Sequence, residues 1–306
     1  MLIRFILNCA VVLIAGVPLG QCGSESVPFP GGDPPGLEPR VFAEGIVSTE
    51  GVDFAPVFSR DMKELYFTSM NPPQPAQVFI MIFDGRQWSA PTEAPFCGGF
   101  DTGTPALSPD GRTLYFSSNR PLEQSLQSFE PSNIWMVQKT SSGWSDPQEL
   151  GPPINSSSYE RCPSLARDGT MYFQSNVPGG KGKIDIYMAS SENGRFAMPV
   201  NLGGAVNTEG VEADPCIAPD QSYLVFYSYG RDDGHGEGDL YVSFRDADDN
   251  WTKAMNLGPT INTEAEENFP ALSPDGKYLF FSSTREGRRF PDVFWVDAAV
   301  IEAARP

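Results

Sequence analysis

Acidic residues recur at one fixed place in this sequence, three residues before a proline that itself recurs five times. These positions hold Asp53, Thr102, Glu160, Glu212 and Glu267, and Asp101 stands beside the one threonine. Equivalent positions in a ring of repeats meet at one place, so we expect the carboxylates around one mouth of a central channel. There they would bind a cationic ligand, a basic peptide or a metal ion, and like charges so close raise one another's pKa values unless a cation lies among them. The alternative is structural, with each carboxylate accepting hydrogen bonds from backbone N–H groups between repeats.

Basic residues are predicted to reach the same mouth from the loops that follow the second strand of each repeat. They are Arg120, Lys181, Lys183, Arg231, His235, Arg285, Arg288 and Arg289. Opposite charges can pair there, and we include Arg120, Arg231 and Arg285 in the predicted ligand-binding set. The longest of these loops, residues 121–132, contains Phe129 and is interpreted either as a partner-specific contact or as a plain solvated insertion.

The choice of residues argues against most forms of catalysis. His235 is the only histidine and lies in a glycine-rich loop, so no Ser/His/Asp or Cys/His arrangement is evident. Glycoside hydrolysis needs two carboxylates, one of them with a raised pKa, and Glu160, Glu212 and Glu267 can supply them. Their shared repeat position is explained more simply by a structural role. We therefore predict a protein that is not an enzyme, with a propeller glycoside hydrolase using channel carboxylates as the alternative.

Neither a metal nor a cofactor is predicted. The stretch from Asp232 to Asp239 superficially resembles a calcium loop but lacks the spacing and the closing glutamate of an EF-hand. Beyond the N-terminal segment three cysteines remain, Cys97, Cys162 and Cys216, and their spacing matches no metal motif. We interpret them as small buried hydrophobic residues, with one disulfide between neighbouring repeats as the alternative.

The elements that must position these residues follow from an internal repeat. The segment from Pro105 to Ser118 matches the segment from Pro270 to Ser283 in kind at nearly every position, and further copies begin at Pro56, Pro163 and Pro215. An aspartate follows each proline by five residues, and successive aspartates are separated by 49, 58, 52 and 55 residues. Each copy continues with short runs of aromatic and β-branched residues bounded by Asp-Gly, Asn-Gly or proline clusters. These patterns indicate about four antiparallel strands in each copy.

Four strands in a repeat of roughly fifty residues predict an all-β protein, a β-propeller of five blades, which closes into a ring and so removes exposed sheet edges. The 30 glycines and 29 prolines in 306 residues agree with a chain of turns and short strands. The fifth copy lacks its last strand. Residues 41–52 resemble the stretch that ends at Val211, so we predict that the N-terminal segment completes the last blade.

The repeat resembles the WD40-like propeller repeat of TolB-type bacterial envelope proteins. The resemblance rests on Ser-Pro-Asp-Gly, on Ser-Ser-Asn-Arg ending at Arg120 with its counterpart ending at Arg285, and on Asp-Ile-Tyr from Asp185; it covers residues 40–297. TolB-type proteins have six blades and an extra N-terminal domain, and we expect neither feature in this chain. The resemblance therefore implies the fold and an envelope location, and it leaves the function open.

The N-terminus has the features of an export signal. A basic start is followed by an apolar stretch from Phe5 to Leu19, too short to span a membrane. The sequence Leu-Gly-Gln-Cys ending at Cys22 resembles the bacterial lipoprotein signal, which implies lipidation of Cys22; ordinary cleavage nearby is the alternative because Gln21 is not a small residue. We predict a signal at 1–21, a Pro/Gly-rich tether at 22–39, a propeller at 40–297 and a tail at 298–306. Gly23 and Ser24 after the cysteine imply the periplasmic side of the outer membrane.

The amino-acid composition limits the classes of molecule that the protein can bind. With 40% hydrophobic and 12% aromatic residues the chain can fold around a large core. Its formal net charge of −18 repels phosphate backbones and argues against nucleic acid. We therefore predict an exported binding or scaffold protein that recognises a protein, peptide or glycan at the channel mouth and meets the membrane only through a lipid anchor.

Overall fold

The computed structural model describes residues 27–121, 132–192 and 194–305. The predicted signal at 1–21, Cys22 and Phe129 lie outside these ranges. The described residues form a nearly all-β protein, and none of their helices is long and apolar enough to cross a membrane.

Five antiparallel sheets follow one another along the chain. A short first strand, β1, covers Arg40–Val41 and belongs to the last sheet. Blade 1 consists of β2 (Val52–Phe58), β3 (Glu64–Met70), β4 (Gln77–Ile82) and β5 (Thr92–Glu93). Blade 2 consists of β6 (Thr102–Leu107), β7 (Thr113–Ser118), β8 (Asn133–Thr140), β9 (Gly143–Trp144) and β10 (Gln148–Glu149).

Blades 3 to 5 repeat this order. Blade 3 consists of β11 (Glu160–Leu165), β12 (Met171–Ser175), β13 (Asp185–Ala189) and β16 (Val200–Asn201), with the small hairpin β14 (Ser191–Glu192) and β15 (Arg195–Phe196). Blade 4 consists of β17 (Val211–Ile217), β18 (Tyr223–Tyr229), β19 (Asp239–Phe244) and β20 (Met255–Asn256). Blade 5 consists of β21 (Glu267–Leu272), β22 (Tyr278–Ser283) and β23 (Asp292–Asp297), with a 3-10 turn at Arg285–Gly287, and helix α1 (Ala299–Ala303) follows.

The blades are held face to face by five separate hydrophobic clusters, one at each interface between neighbours. The central strands are buried on both faces; every residue of β19, for example, is buried. This explains why the strand sequences are apolar on consecutive residues instead of alternating. Burial of each large side chain contributes about 1.5–3 kcal/mol, so the ring is stabilised mainly by these clusters.

The N-terminal segment closes the ring. Strand β1 pairs antiparallel with β23, with Arg40 opposite Trp295 and Val41 opposite Phe294. Phe42 then enters the cluster between blades 5 and 1 and is fully buried. The prediction of five blades, with the last one completed from the chain start, is confirmed.

The repeated Ser-Pro-Asp-Gly sequence builds the hairpin between the first two strands of a blade. In blade 2 the Asp110 carboxylate accepts hydrogen bonds from Ser108 Oγ at 2.6 Å and from the Arg112 N–H at 3.0 Å. The bond from Ser108 is the main cause of a lowered Asp110 pKa. Gly111 has a φ of 68°, which favours glycine at this place. We call the end of the channel next to these turns the hairpin end, and the opposite end the strand-start end.

Both segments flanking the ring pack onto it where they are described. Phe29, in the predicted tether, lies within 5.5 Å, between ring centroids, of Phe58, Tyr278 and Trp295. In the predicted tail, Ile301 is buried in the cluster between blades 4 and 5.

Candidate functional site

Each innermost strand is interrupted at its repeated proline. Pairing with the second strand shifts register at this point in all five blades. Proline has no N–H for the ladder and is therefore found at such bulges. The residue before it has a φ between 47° and 54° in every blade, and we call these five residues the bulge layer: Ala55, Thr104, Cys162, Asp214 and Phe269.

The bulge layer lines a central cavity of about 240 Å³, to which all five innermost strands contribute. Bulges redirect side chains, and here they bring one residue from each blade to the same cavity. Most of the wall is apolar, with side chains such as Val57, Ala106 and Ala271. Among the described residues that line the cavity, Asp214 is the only one with a carboxyl group.

Asp214 is a buried acid with a strongly changed ionisation. Its Oδ1 accepts a hydrogen bond from Cys162 Sγ at 3.1 Å, and its Oδ2 accepts the Phe269 N–H at 3.4 Å. Burial raises the pKa of Asp214 to about 6 in spite of these bonds, and the negative charge of Glu266 adds to the increase. Burial also raises the pKa of the Cys162 thiol, which keeps its proton and acts as the donor. A carboxyl group with a pKa near the working pH is suited to general acid catalysis.

The environment of Asp214 departs from the repeat. In three blades the N–H of the bulge residue donates to a polar side chain on the second strand of the preceding blade; the acceptors are Thr68, Ser117 and Gln174. Tyr227 occupies the corresponding position in blade 4. The Phe269 N–H of blade 5 is bonded to Asp214 instead.

Two further carboxylates come from other blades at the strand-start end. Asp101 of blade 2 and Glu266 of blade 5 each stand four residues before the repeated proline, and both are partly buried. Glu266 and Asp101 act on the ionisation of different neighbours: Glu266 raises the pKa of Asp214, and Asp101 helps to raise that of Arg161 in blade 3. Acidic groups from three blades and a basic group from a fourth are therefore electrostatically coupled near the bulge layer.

The predicted carboxylates three residues before the proline lie elsewhere. Asp53, Glu160, Glu212 and Glu267 are at most 1% exposed and do not line the cavity. Glu212 shows the shared pattern: Oε2 accepts the Thr208 N–H at 2.7 Å, while Oε1 accepts Thr208 Oγ1 at 2.7 Å and Ser228 Oγ at 2.9 Å. The equivalent hydroxyl donors are Thr49, Ser156 and Thr263. In blade 2, Thr102 instead shares a hydrogen bond with Ser118.

This geometry is that of the structural alternative considered from the sequence. Each carboxylate ties the loop arriving from the preceding blade to its own innermost strand. That these residues also bind a ligand stays a prediction.

The three predicted arginines also connect blades. Arg231 donates to Glu212 Oε1 at 3.1 Å and lies over the Tyr241 ring at 4.7 Å. Arg285 and Arg120 contact main-chain carbonyls of the preceding loop and aromatic rings in the same way. A buried pair of this kind fixes the local geometry. Removal of one partner leaves the other charge buried without a counter-ion.

The residues that line the channel and a set of loop asparagines are not among those predicted from the sequence. Asn207 accepts the Ile186 N–H and donates to the Ile186 carbonyl, both at 2.9 Å, and Asn155 and Asn262 do the same in their blades. The signal for them was an asparagine followed by serine or threonine at a constant distance before the acidic position. For Asp214, the signal was a proline inside a strand, which predicts a bulge at the preceding residue.

The remaining candidates have local roles. The His235 N–H donates to Asp239 at 2.6 Å within its own loop. The three described cysteines are free and buried. Within the described part of the chain, no group of three or more His, Cys, Asp or Glu residues is arranged to hold a metal ion.

No protein-family model and no curated protein matches this chain. Solved structures do match it. TolB from Acinetobacter baumannii is 14% identical, with a TM-score of 0.50 over 83% of this chain; the matched part is 59% of TolB, so this chain spans less than two thirds of that protein. A thermostable family-43 glycoside hydrolase is 12% identical with a TM-score of 0.54 over 82% of this chain and 90% of its own. The arabinanase of Bacillus subtilis is 12% identical with a TM-score of 0.50 over 82% of this chain and 95% of its own. These likenesses show the propeller fold.

The comparisons correct one prediction. We predicted from the sequence that the protein is not an enzyme, but several of the solved structures that share its fold are glycoside hydrolases, which contradicts that prediction. The carboxyl group in the cavity, that of Asp214, stands two residues after the repeated acidic position, at the bulge.

Proposed function

We propose that the protein is a glycoside hydrolase whose reaction takes place in the central channel at Asp214. The observation that carries the proposal is a single buried carboxyl group in the cavity with a pKa raised to about 6. Glycosidases need one acid that stays protonated and a second, ionised carboxylate. The solved propellers of the same fold that are glycoside hydrolases add support.

The roles follow from the raised pKa of Asp214 and from the acids that lie nearest to it in the other blades. Protonated Asp214 would donate its proton to the glycosidic oxygen as the bond to the anomeric carbon breaks. Glu266 is the candidate for the second carboxylate, because its charge acts on Asp214, and Asp101 is the other acid at this end. The second group would either attack the anomeric carbon or take the proton from the attacking water, according to its separation from the acid.

The test is hydrolysis of a panel of glycans, arabinan included, by the purified chain. We expect Asp214→Asn to lower the rate by at least ~100-fold, since loss of general acid catalysis costs about 10²–10⁴-fold. Asp220→Asn is the matched control, because Asp220 belongs to the same blade but lies in an exposed hairpin turn. Absence of turnover by the wild-type chain, or equal rates for Asp214→Asn and the wild type, would overturn the proposal.

Binding of a protein or peptide is the second candidate function. Tyr229 and Phe100, both near the strand-start end, are 51% and 38% exposed, and such exposed aromatic side chains favour a contact surface. Crosslinking in envelope membranes followed by purification should recover a specific partner. Recovery that is unchanged in a Tyr229→Ala, Phe100→Ala double variant would count against this surface.

We also propose that the chain is exported and anchored through Cys22 on the periplasmic side of the outer membrane. The sequence of residues 1–22 supports this proposal. In cells fed labelled palmitate, the wild type should carry label and fractionate with membranes, whereas Cys22→Ala should do neither. Equal labelling of the two chains would refute lipidation at this residue.

A further inference from the structure

Arg161 is a cation beside the bulge layer, and none of the described residues supplies a counter-ion in contact with it. It lies on β11 directly before the bulge residue Cys162. Its Nε is buried without a hydrogen-bond acceptor, and among the described residues no carboxylate lies within 4.0 Å of its guanidinium. The three predicted arginines, in contrast, all donate to main-chain or carboxylate oxygens.

The acids near Arg161 are engaged with other groups. Asp214 accepts hydrogen bonds on both oxygens from its neighbours in the bulge layer. Asp101 accepts the Ala76 N–H at 3.1 Å. Burial lowers the pKa of Arg161, but Cys162, Tyr159, Asp101 and Asp214 outweigh this effect, so the pKa is raised and the side chain stays charged. A partly buried charge without a direct partner carries a desolvation cost that an incoming anion would offset.

The chemistry of guanidinium specifies the kind of anion. Its planar array of N–H donors matches the two oxygens of a carboxylate, and a hydroxyl group of a neutral sugar supplies no charge. We infer that the substrate is an acidic glycan and that Arg161 binds the carboxylate of a uronic acid residue in it. This inference rests on the proposed glycoside hydrolase function, which it narrows to one class of substrate.

The experiment measures binding without turnover. Trigalacturonate, triglucuronate and their neutral methyl esters are titrated calorimetrically into the full chain carrying Asp214→Asn. We expect at least one acid trisaccharide to bind at least ~10-fold more tightly than its ester. Adding Arg161→Gln should remove this difference, and Arg161→Lys should restore part of it. Arg195→Gln is the matched control, because Arg195 is an exposed arginine in the small hairpin of the same blade and does not line the cavity. Thermal melts establish that each variant is folded.

The outcomes separate this inference from the proposed function. Equal binding of acids and esters, no binding of either, or a preference that survives Arg161→Gln would overturn the inference. Tighter binding of a sulfated neutral trisaccharide than of either uronate would also overturn it, because it would assign Arg161 to sulfate. Hydrolysis of neutral glycans at rates unaffected by Arg161→Gln would leave the hydrolase proposal standing and remove the inference. If the wild-type chain binds uronates through Arg161 but hydrolyses no glycan, the binding of an acidic glycan would stand and the hydrolase proposal would fall.

Discussion

Glu212 and Asp214 stand two residues apart on one strand, yet they lie in different physical environments. Glu212 is fully buried, accepts hydrogen bonds from Thr208 and Ser228, and is paired with Arg231. Asp214 borders the central cavity, and burial raises its pKa to about 6. Glu212 has acidic counterparts in three other blades, Asp53, Glu160 and Glu267, whereas no other blade has an acid at the position of Asp214. In a molecule built by repetition, a function that all blades need is repeated, whereas chemistry is expected where one blade departs from the others.

The largest expected effect belongs to the repeated position. Glu212→Ala should lower the free energy of unfolding by about 3–5 kcal/mol, because it leaves Arg231 buried without its partner and frees the Thr208 loop. Chemical denaturation would measure this change. Asp214→Asn, two residues away, should cost much less at pH 7. Similar losses for the two variants would break the distinction between them.

The next effect is the pH dependence that Asp214 adds to the stability of the folded chain. Its pKa is raised in the folded chain from an ordinary value of 3.8 to about 6, so its protonated form favours folding. This contribution is fully present below pH 3.8 and is lost as the pH rises through about 6, on the order of 3 kcal/mol in all. The free energy of unfolding should therefore fall over this window in the wild type relative to Asp214→Asn. Parallel pH profiles for the two chains would contradict the assignment.

The smallest effect concerns the loop asparagines, which are uncharged and recur in three loops between blades. Asn207→Ala should lower the free energy of unfolding by about 1–3 kcal/mol, since it leaves the buried N–H and C=O of Ile186 without partners. Asn155→Ala and Asn262→Ala should cost similar amounts. Thermal melts of the three variants would measure these changes. A loss of stability in only one of the three variants would show that the asparagine hydrogen bonds do not contribute equally in the three blades.

The fold was predictable because its signals are local and occur five times. The repeated proline, the Ser-Pro-Asp-Gly turn and the missing last strand were sufficient to predict five blades closed by β1. The site was less predictable because the direction of a side chain on a strand depends on where the strand bulges. The acids three residues before the proline are predicted at the channel mouth, and the structure adds that their hydrogen-bond donors include residues of the preceding loop, such as Thr49 and Thr263.

The ionisation of Asp214 depends on contacts between blades. Its hydrogen-bond partners Cys162 and Phe269 are 52 and 55 residues away along the chain. Desolvation by such distant neighbours cannot be inferred from the residues around Asp214 in the sequence. The proline at 215 nevertheless marks the bulge, and a sequence search for polar residues before strand prolines would have identified Asp214, Cys162 and Thr104.

The closure of the ring by β1 has a consequence for how the chain folds. The hydrogen bonds between Ser48 and Val293 span 245 residues, and β1 has no partner strand until β23 has been synthesised. Contacts of such sequence separation form slowly, and unpaired strand edges favour association with other chains. Blades 1 to 4 can assemble in order as the polypeptide grows, but the fifth must wait for both ends. Truncation before residue 292 should therefore leave an open, aggregation-prone arc instead of a smaller ring.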